Sequence, residues 1–284
     1  MKSVKYIYAS ILLVLFFNAN GQDDLLSILE EEQEPIEETV TSIWKGQRLV
    51  NGHTTKTRKQ GEFEFIIMHR FGEINTGIDD LFGLDFANIR FSFEYGITDR
   101  ITLGVGRSSF EKTYDVFFKY NFLDQGPNSP VALSWFSSMA VRTVDNPNFA
   151  DDDFTSKTAY SHELLIARKL NDKVSVLFIP AYVHRNRVEF DQENDIFALG
   201  FGGRLKLNNR LALISEYYWR ITKEESNDYY DSFGVGLEIE TGGHVFQLTF
   251  SNSRSMIEKG FITETRGDFF DGDIHFGFNL SRTF

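Results

Sequence analysis

Six histidines, His53, His69, His162, His184, His244 and His275, are the residues best suited to metal or acid–base chemistry, and they are scattered along the chain. No two stand at the i, i+4 spacing that sets paired imidazoles on one helix face. His69, His162 and His244 fall among apolar residues near the ends of strand-like runs. His53 and His244 are expected near one rim of the molecule and His184 near the other, as rim hydrogen-bonding groups. Ser137 and Ser138 are the candidate nucleophiles for lipid-ester hydrolysis, a chemistry that needs a serine beside a histidine. The sequence pairs no histidine with them, and it contains no Gly-x-Ser-x-Gly elbow. It therefore points to no catalytic residue, no metal-ligand set and no cofactor.

Charge makes a stronger pattern. On the polar parity of the strands described below lie seven acids, Glu62, Glu64, Glu94, Asp115, Glu163, Glu216 and Glu238. Seven bases share it: Arg70, Arg90, Lys119, Arg142, Arg204, Lys206 and Arg220. Equal numbers predict cross-strand ion pairs, whereas an ion-selective pore favours a constriction of one sign. Glycines on the same parity (Gly104, Gly106, Gly200, Gly202, Gly234, Gly236) remove bulk and suit either tight curvature or a narrow water path. The interior is thus either a salt-bridged filling of side chains or a small polar channel. Further acids collect in connecting segments, among them Asp151-Asp152-Asp153, Glu224-Glu225 and Asp268 with Asp271 and Asp273. Solvated loops account for them; divalent-cation bridging to lipopolysaccharide phosphate is the alternative.

The elements that must position these charges are strands. The last residues alternate, Phe276, Phe278, Leu280, Arg282 and Phe284 against Gly277, Asn279, Ser281 and Thr283, so one face is greasy and the other wet to the end of the chain. Similar rows recur upstream: Ile89, Phe91, Phe93 and Tyr95 against Arg90, Ser92, Glu94 and Gly96, or Phe233, Val235, Leu237 and Ile239 against Ser232, Gly234, Gly236 and Glu238. Two rows are less clean, because Leu177 and Ile179 blur the polar side of one and Ala167 that of another. In all, twelve strands are predicted, with Phe91, Phe93, Tyr120, Phe201, Phe233 and Phe278 on the apolar face.

Connections alternate in length. Thr98-Asp99-Arg100, Asn171-Asp172-Lys173, Asn208-Asn209-Arg210 and Thr241-Gly242-Gly243 are hairpin turns, with Leu123 to Pro130 a longer member of the set. The intervening loops, such as 146–156, 186–195, 222–231 and 253–271, are long and polar. Short turns on one rim and long loops on the other are the layout of a transmembrane up-and-down β-barrel. Ten residues at roughly 3.3 Å rise and 45° tilt cover about 23 Å, close to the apolar band of such barrels. With twelve strands, both ends of the barrel lie on the short-turn side, expected to be periplasmic. Tyr and Trp then suit the two membrane interfaces.

Composition agrees. The chain has 29 Phe, 11 Tyr and 3 Trp, and 5 Pro against 22 Gly, which fits strands and tight turns. Residues 1–21 read as a secretory signal: Lys2 and Lys5, the apolar run Ile7 to Phe17, then Ala19-Asn20-Gly21. No cysteine is present, which excludes disulfides and lipidation on cysteine, and a net charge of −12 argues against nucleic acid as a partner.

Residues 22–60 precede the barrel, itself expected over 61–284. Asp23 to Glu38 is strongly acidic and reads as a solvated periplasmic linker. Trp44 to Lys59 is basic and mixed; it can enter the barrel mouth as a plug or pack beneath the periplasmic rim, and the rim is favoured.

Several stretches resemble a family of membrane-bound β-barrel proteins of unknown function found in Bacteroidota. They include Arg48-Leu49-Val50-Asn51-Gly52-His53, His69-Arg70-Phe71-Gly72, Glu94-Tyr95-Gly96-Ile97-Thr98-Asp99-Arg100, Ala181-Tyr182-Val183-His184-Arg185-Asn186 and the terminal Phe276 to Arg282. The resemblance runs from about Trp44 to Phe284 and implies an outer-membrane barrel, with no established activity. Two functions follow as expectations: a narrow channel for small polar solutes, or a non-transporting structural or docking barrel. An enzyme that modifies lipid is the weaker third reading. The expected partners are outer-membrane lipid and lipopolysaccharide, the barrel-assembly machinery reading the C-terminal strand through Phe284, and a periplasmic partner of the N-terminal segment.

Overall fold

The computed structural model describes residues 42–146, 153–223 and 229–284; the expected signal sequence and the acidic linker lie outside them. Twelve antiparallel strands close into one barrel: β1 (Phe63–Glu73), β2 (Ala87–Thr98), β3 (Ile101–Ser108), β4 (Tyr114–Leu123), β5 (Ala132–Val141), β6 (Thr158–Lys169), β7 (Val174–Arg185), β8 (Asp195–Lys206), β9 (Leu211–Arg220), β10 (Ser232–Thr241), β11 (His244–Ser251) and β12 (His275–Thr283). Each strand pairs with its chain neighbours, and β1 pairs with β12 to shut the seam, with Ile67 opposite Leu280 and His69 opposite Phe278. No sheet edge remains, so the ladder satisfies the backbone groups that hydrocarbon would leave unpaired. Among the described residues no helix is long and apolar enough to cross a membrane.

Every expected short turn falls on one rim. The β10–β11 turn places Gly242 and Gly243 at φ 41° and 97°, the doubly left-handed geometry of a two-residue hairpin turn that glycine adopts without strain. The terminal Phe284 exchanges backbone hydrogen bonds with Phe63 (2.8 and 3.3 Å), extending the seam to the last residue.

The outward face carries the predicted aromatic rows. Phe65 stacks on Phe91 and Phe93, and His69 lies flat against Phe278 at 5.0 Å. The inward face departs from expectation. It is mainly polar and charged on β1–β3 and β10–β12, with Ile66 and Met68 of β1 as buried apolar exceptions, but on β4–β9 it bears Phe117, Phe136, Leu165, Leu177, Ile179, Val183, Ile214 and Tyr218, all buried. These residues are dry because they pack against chain inside the barrel. The molecule's hydrophobic core is in its lumen, where they meet Trp44, Leu49 and Val50 from one end, and Phe261 and Ile262 of a short helix, α1 (Glu258–Thr263), from the other.

Candidate functional site

The segment 42–59 is a hairpin inserted into the lumen from the short-turn mouth, which corrects the expectation that it packs beneath the rim. Its legs are tied together by Thr54 N–H to the Gln47 carbonyl (2.8 Å), the Trp44 indole N–H to Thr55 Oγ1 (3.1 Å) and an Arg48–His53 bridge. Both legs also bond the same rim: Ser175 at the start of β7 donates to the Ile43 carbonyl, and Thr57 donates to Asp99 in the β2–β3 turn. The tip, Leu49-Val50-Asn51-Gly52, closes with Leu49 N–H on the Gly52 carbonyl at 3.0 Å. Gly52 passes so close to β9 that a Cβ there would stand 2.2 Å from the Tyr218 hydroxyl.

The barrel wall grips the tip through polar groups. Glu216 on β9 accepts from the backbone N–H groups of Val50, Asn51 and Gly52 at 3.1, 2.8 and 3.0 Å. Arg70 on β1 donates to the Val50 carbonyl (3.0 Å) and to Asn51 Oδ1 (2.9 Å), and Asn279 on β12 also donates to the Val50 carbonyl (2.9 Å). Lys119 donates to Gln47 Oε1 and Gln247 to the Arg48 carbonyl. A peptide whose backbone donors face a carboxylate and whose carbonyls face a guanidinium is held by charge-assisted bonds out of water.

Two glycines receive the tip's apolar side chains. A Cβ at Gly202 would lie 2.4 Å from Leu49 Cδ1, and one at Gly234 would lie 2.8 Å from Val50 Cγ1. Their missing bulk therefore seats the plug and does not open a water path. Helix α1 completes the seal from the long-loop side. Phe261 meets Tyr218 edge-on at 5.0 Å, and Glu258 pairs with Arg48 at 3.2 Å. Val50, Asn51, Met68, Tyr218, Phe261 and Ile262 are all at 0% exposure, so the middle of the lumen is filled.

His53 sits in this filling and not at a rim, between the rings of Phe117 (4.7 Å) and Phe136 (4.3 Å). Burial, with Arg48, Lys119 and Arg90 nearby, holds its pKa well below the ordinary histidine value. It is therefore neutral near neutrality, and its 3.8 Å approach to Glu258 is not an ion pair there. Burial raises the Glu258 carboxyl, and Arg48 opposes that shift.

Ten of the fourteen expected interior charges are buried: Glu64, Arg70, Arg90, Glu94, Asp115, Lys119, Glu163, Glu216, Arg220 and Glu238. Arg204 is half-buried and pairs with Glu238 across β9 at 2.7 Å. Glu62, Arg142 and Lys206 are half-exposed, outside the filled lumen. Sequence reasoning missed Arg48, Arg58, Arg185 and Glu258, which are also buried and keep the interior at seven acids and seven bases. Three of the four belong to segments without strand periodicity, and the fourth ends β7. Cross-strand pairing accounts for only part of the set. Arg90 meets Asp115 at 3.1 and 2.5 Å over β3, where Gly106 leaves room, but Glu216, Arg70 and Lys119 serve the plug, and Glu64 faces Arg58 of the plug at 3.4 Å.

Ser137 does meet a histidine, contrary to expectation. It lies opposite His162 in the β5–β6 ladder and hydrogen-bonds His162 Nδ1. The pair faces outward, with Trp135 and Tyr182 flanking the imidazole at 6.0 and 6.1 Å. Backbone N–H groups in this ladder are committed to strand pairing, which leaves no oxyanion hole beside the serine. Ser138 makes no such contact among the described residues.

Apart from the exposed Asp271, the loop acids named above are engaged within the protein or lie outside the described residues, as Asp151, Asp152, Glu224 and Glu225 do. Asp273 accepts from Asn75 (2.6 Å) and from Asp268 N–H (3.0 Å), and Asp231 accepts from Tyr217 (2.8 Å). Among the described residues no group of three or more His, Asp or Glu is placed to hold a metal ion.

Comparison with curated protein sequences gives no match. Solved structures with similar chains include the KdgM porin in complex with disordered oligogalacturonate (11% identity, 78% of this chain and 99% of that one, TM-score 0.47). Others are the COG4313 outer membrane channel from Pseudomonas putida F1 (13%, 81% and 98%, 0.47) and Omp33 of Acinetobacter baumannii (10%, 79% and 99%, 0.43). A family model described as "Membrane bound beta barrel domain (DUF5777)" matches residues 44–284, a span that takes in both the barrel and the plug hairpin. The chain belongs to that family of membrane-bound β-barrels.

Proposed function

We propose that the protein is an outer-membrane barrel closed at rest by its own N-terminal hairpin, and that small polar solutes cross it only when the hairpin withdraws. The observation that carries this reading is the non-covalent clasp of Glu216 and Arg70 on the tip, combined with entry of both legs through one mouth. In this reading the short-turn mouth and both barrel ends are periplasmic, so a periplasmic partner has access to the tail that leads into the plug. The wall alone encloses a lumen wide enough to hold a two-legged hairpin, and in this reading withdrawal of the hairpin also loosens α1, whose Phe261 and Ile262 pack in the same cluster, to open a water path.

A cysteine lock tests the gate. The chain has no cysteine, and Val50 Cβ lies 3.2 Å from where a Cβ on residue 234 would stand, near the span of a disulfide. The Val50→Cys, Gly234→Cys protein is expected to be silent in planar bilayers when oxidised. When reduced and exposed to mild urea it should show conductance steps. Steady conductance of the oxidised form would overturn the reading.

A second reading, a permanently sealed structural barrel, is favoured by the apolar cluster that plug and wall share. Silence of the reduced protein after Trp44 has become solvent-exposed would select it.

A further inference from the structure

The long-loop mouth holds a cavity of about 280 Å³ above α1, distinct from the plug clasp. Its described lining carries seven Arg and Lys against four Glu, in a chain whose net charge is −12. The acids there are further depleted, because Lys259 alone engages two of them, Glu111 at 3.3 Å and Glu264 at 2.6 Å. Burial and these two carboxylates act oppositely on Lys259, and the carboxylates prevail, so it stays charged.

Arginines at this mouth are braced by rings. Tyr229 lies between the guanidinium groups of Arg220 (5.8 Å) and Arg266 (5.5 Å), and Arg254 stacks over Phe110 at 5.1 Å. Arg220 also donates to the Tyr229 carbonyl, whereas a guanidinium braced as Arg254 is can turn its hydrogen-bonding edge to a planar oxyanion with little side-chain entropy left to lose on binding. Arg254 is exposed and has no carboxylate partner among the described residues. The Gln192 and Asn252 amides and the Ser156 hydroxyl also line the cavity but donate within the protein, to Tyr229, Asp231, Gly267 and Asp153, so the charged groups are what it offers a ligand. Concavity, low-dielectric walls and an excess of positive charge focus the field on whatever enters.

We infer that this vestibule is a binding site for small organic polyanions, solutes carrying two or more carboxylate or phosphate groups, with Arg254 as a principal contact. Its lining faces the barrel axis, so the ligand is a free solute and not the headgroup of a surrounding lipid. Binding requires no passage through the lumen, and the site stands or fails independently of the gate.

Calorimetric titration of the refolded full chain in detergent at low ionic strength tests it, with citrate, inorganic phosphate and a neutral disaccharide as probes. Saturable citrate binding is expected, tighter than phosphate, absent for the disaccharide and weakened by salt. Arg254→Ala should lower citrate affinity at least about fivefold, the loss of one charge-assisted contact, and Arg254→Lys should retain part of it. A second variant, Lys157→Gln, removes another lining charge, one paired with Asp145, and should weaken binding by less than Arg254→Ala does. The heat-modifiable band on a gel reports folding of each variant. No saturable citrate binding, equal binding of the neutral sugar, or unchanged affinity in a folded Arg254→Ala protein would overturn the proposal.

Discussion

Glu216 is the residue on which the closed lumen turns. Its two oxygens accept three backbone N–H groups of the plug tip, and no water is needed to complete its coordination. Replacing it by Ala leaves those donors buried and unpaired, so Glu216→Ala should destabilise the plugged barrel by about 3 kcal/mol in denaturant unfolding. Asp172→Ala, at an exposed turn acid, should leave the midpoint unmoved. Equal shifts for the two would show that interior carboxylates carry no special weight. His53 adds a pH dependence with a definite sign. Its folded pKa is depressed by burial and by Arg48, Lys119 and Arg90. Below about pH 6.5 the unfolded chain therefore binds a proton that the folded one refuses, and stability falls as the solution is acidified. The raised carboxyl of Glu258 works in the opposite sense. Between about pH 6.5 and 5.5 the plugged state of wild type should weaken, and His53→Phe should flatten that slope. Trp44 fluorescence reads it, in a background with lipid-facing Trp135 and Trp219 changed to Phe.

At the scale of elements, the strands obey their alternation on the outside and depart from it within. Phe93 on β2 stacks with Phe63 and Phe65 on the outer wall, and Phe93→Arg should cost roughly 2–4 kcal/mol if the residue lies at mid-membrane, with smaller losses nearer a rim. Labelling of a cysteine at position 93 by a water-borne reagent would instead mean that β2 is rotated. Twelve strands, their hairpins and the closing seam were legible because period-two patterning is a local property. The inward Leu177 and Ile179 looked like noise on the polar face, because what they pack against is not a strand. The hairpin 42–59 (SIWKGQRLVNGHTTKTRK) carries an Asn-Gly turn but no apolar periodicity, so its destination could not be read from its own residues. The same limit hid the Ser137–His162 contact, since β5 and β6 must be in register before the two are seen to face each other.

At the scale of the whole molecule, the closing seam runs to the last residue. Phe284 bonds Phe63 through both backbone groups, and Arg282 lies over its ring at 4.7 Å. Deleting Phe284 should lower the yield of barrel in membranes of living cells far more than the yield of folding in detergent. The other outward residues of β12 remain, so the deficit would fall on recognition during assembly, and equal membrane yields would refute it. The inserted hairpin also has a mechanical consequence. Its legs leave by one mouth and its firmest anchors are at the tip, so tension applied from the N-terminal side loads the leg at Ile43 and Trp44 before it reaches Glu216. Bonds loaded in sequence rupture one after another at low force, whereas the β1–β12 seam, loaded along its length, shares the strain among all its hydrogen bonds. Extraction should therefore pay out the segment 42–58 first, about 60 Å of chain at full extension, while the barrel wall stays intact.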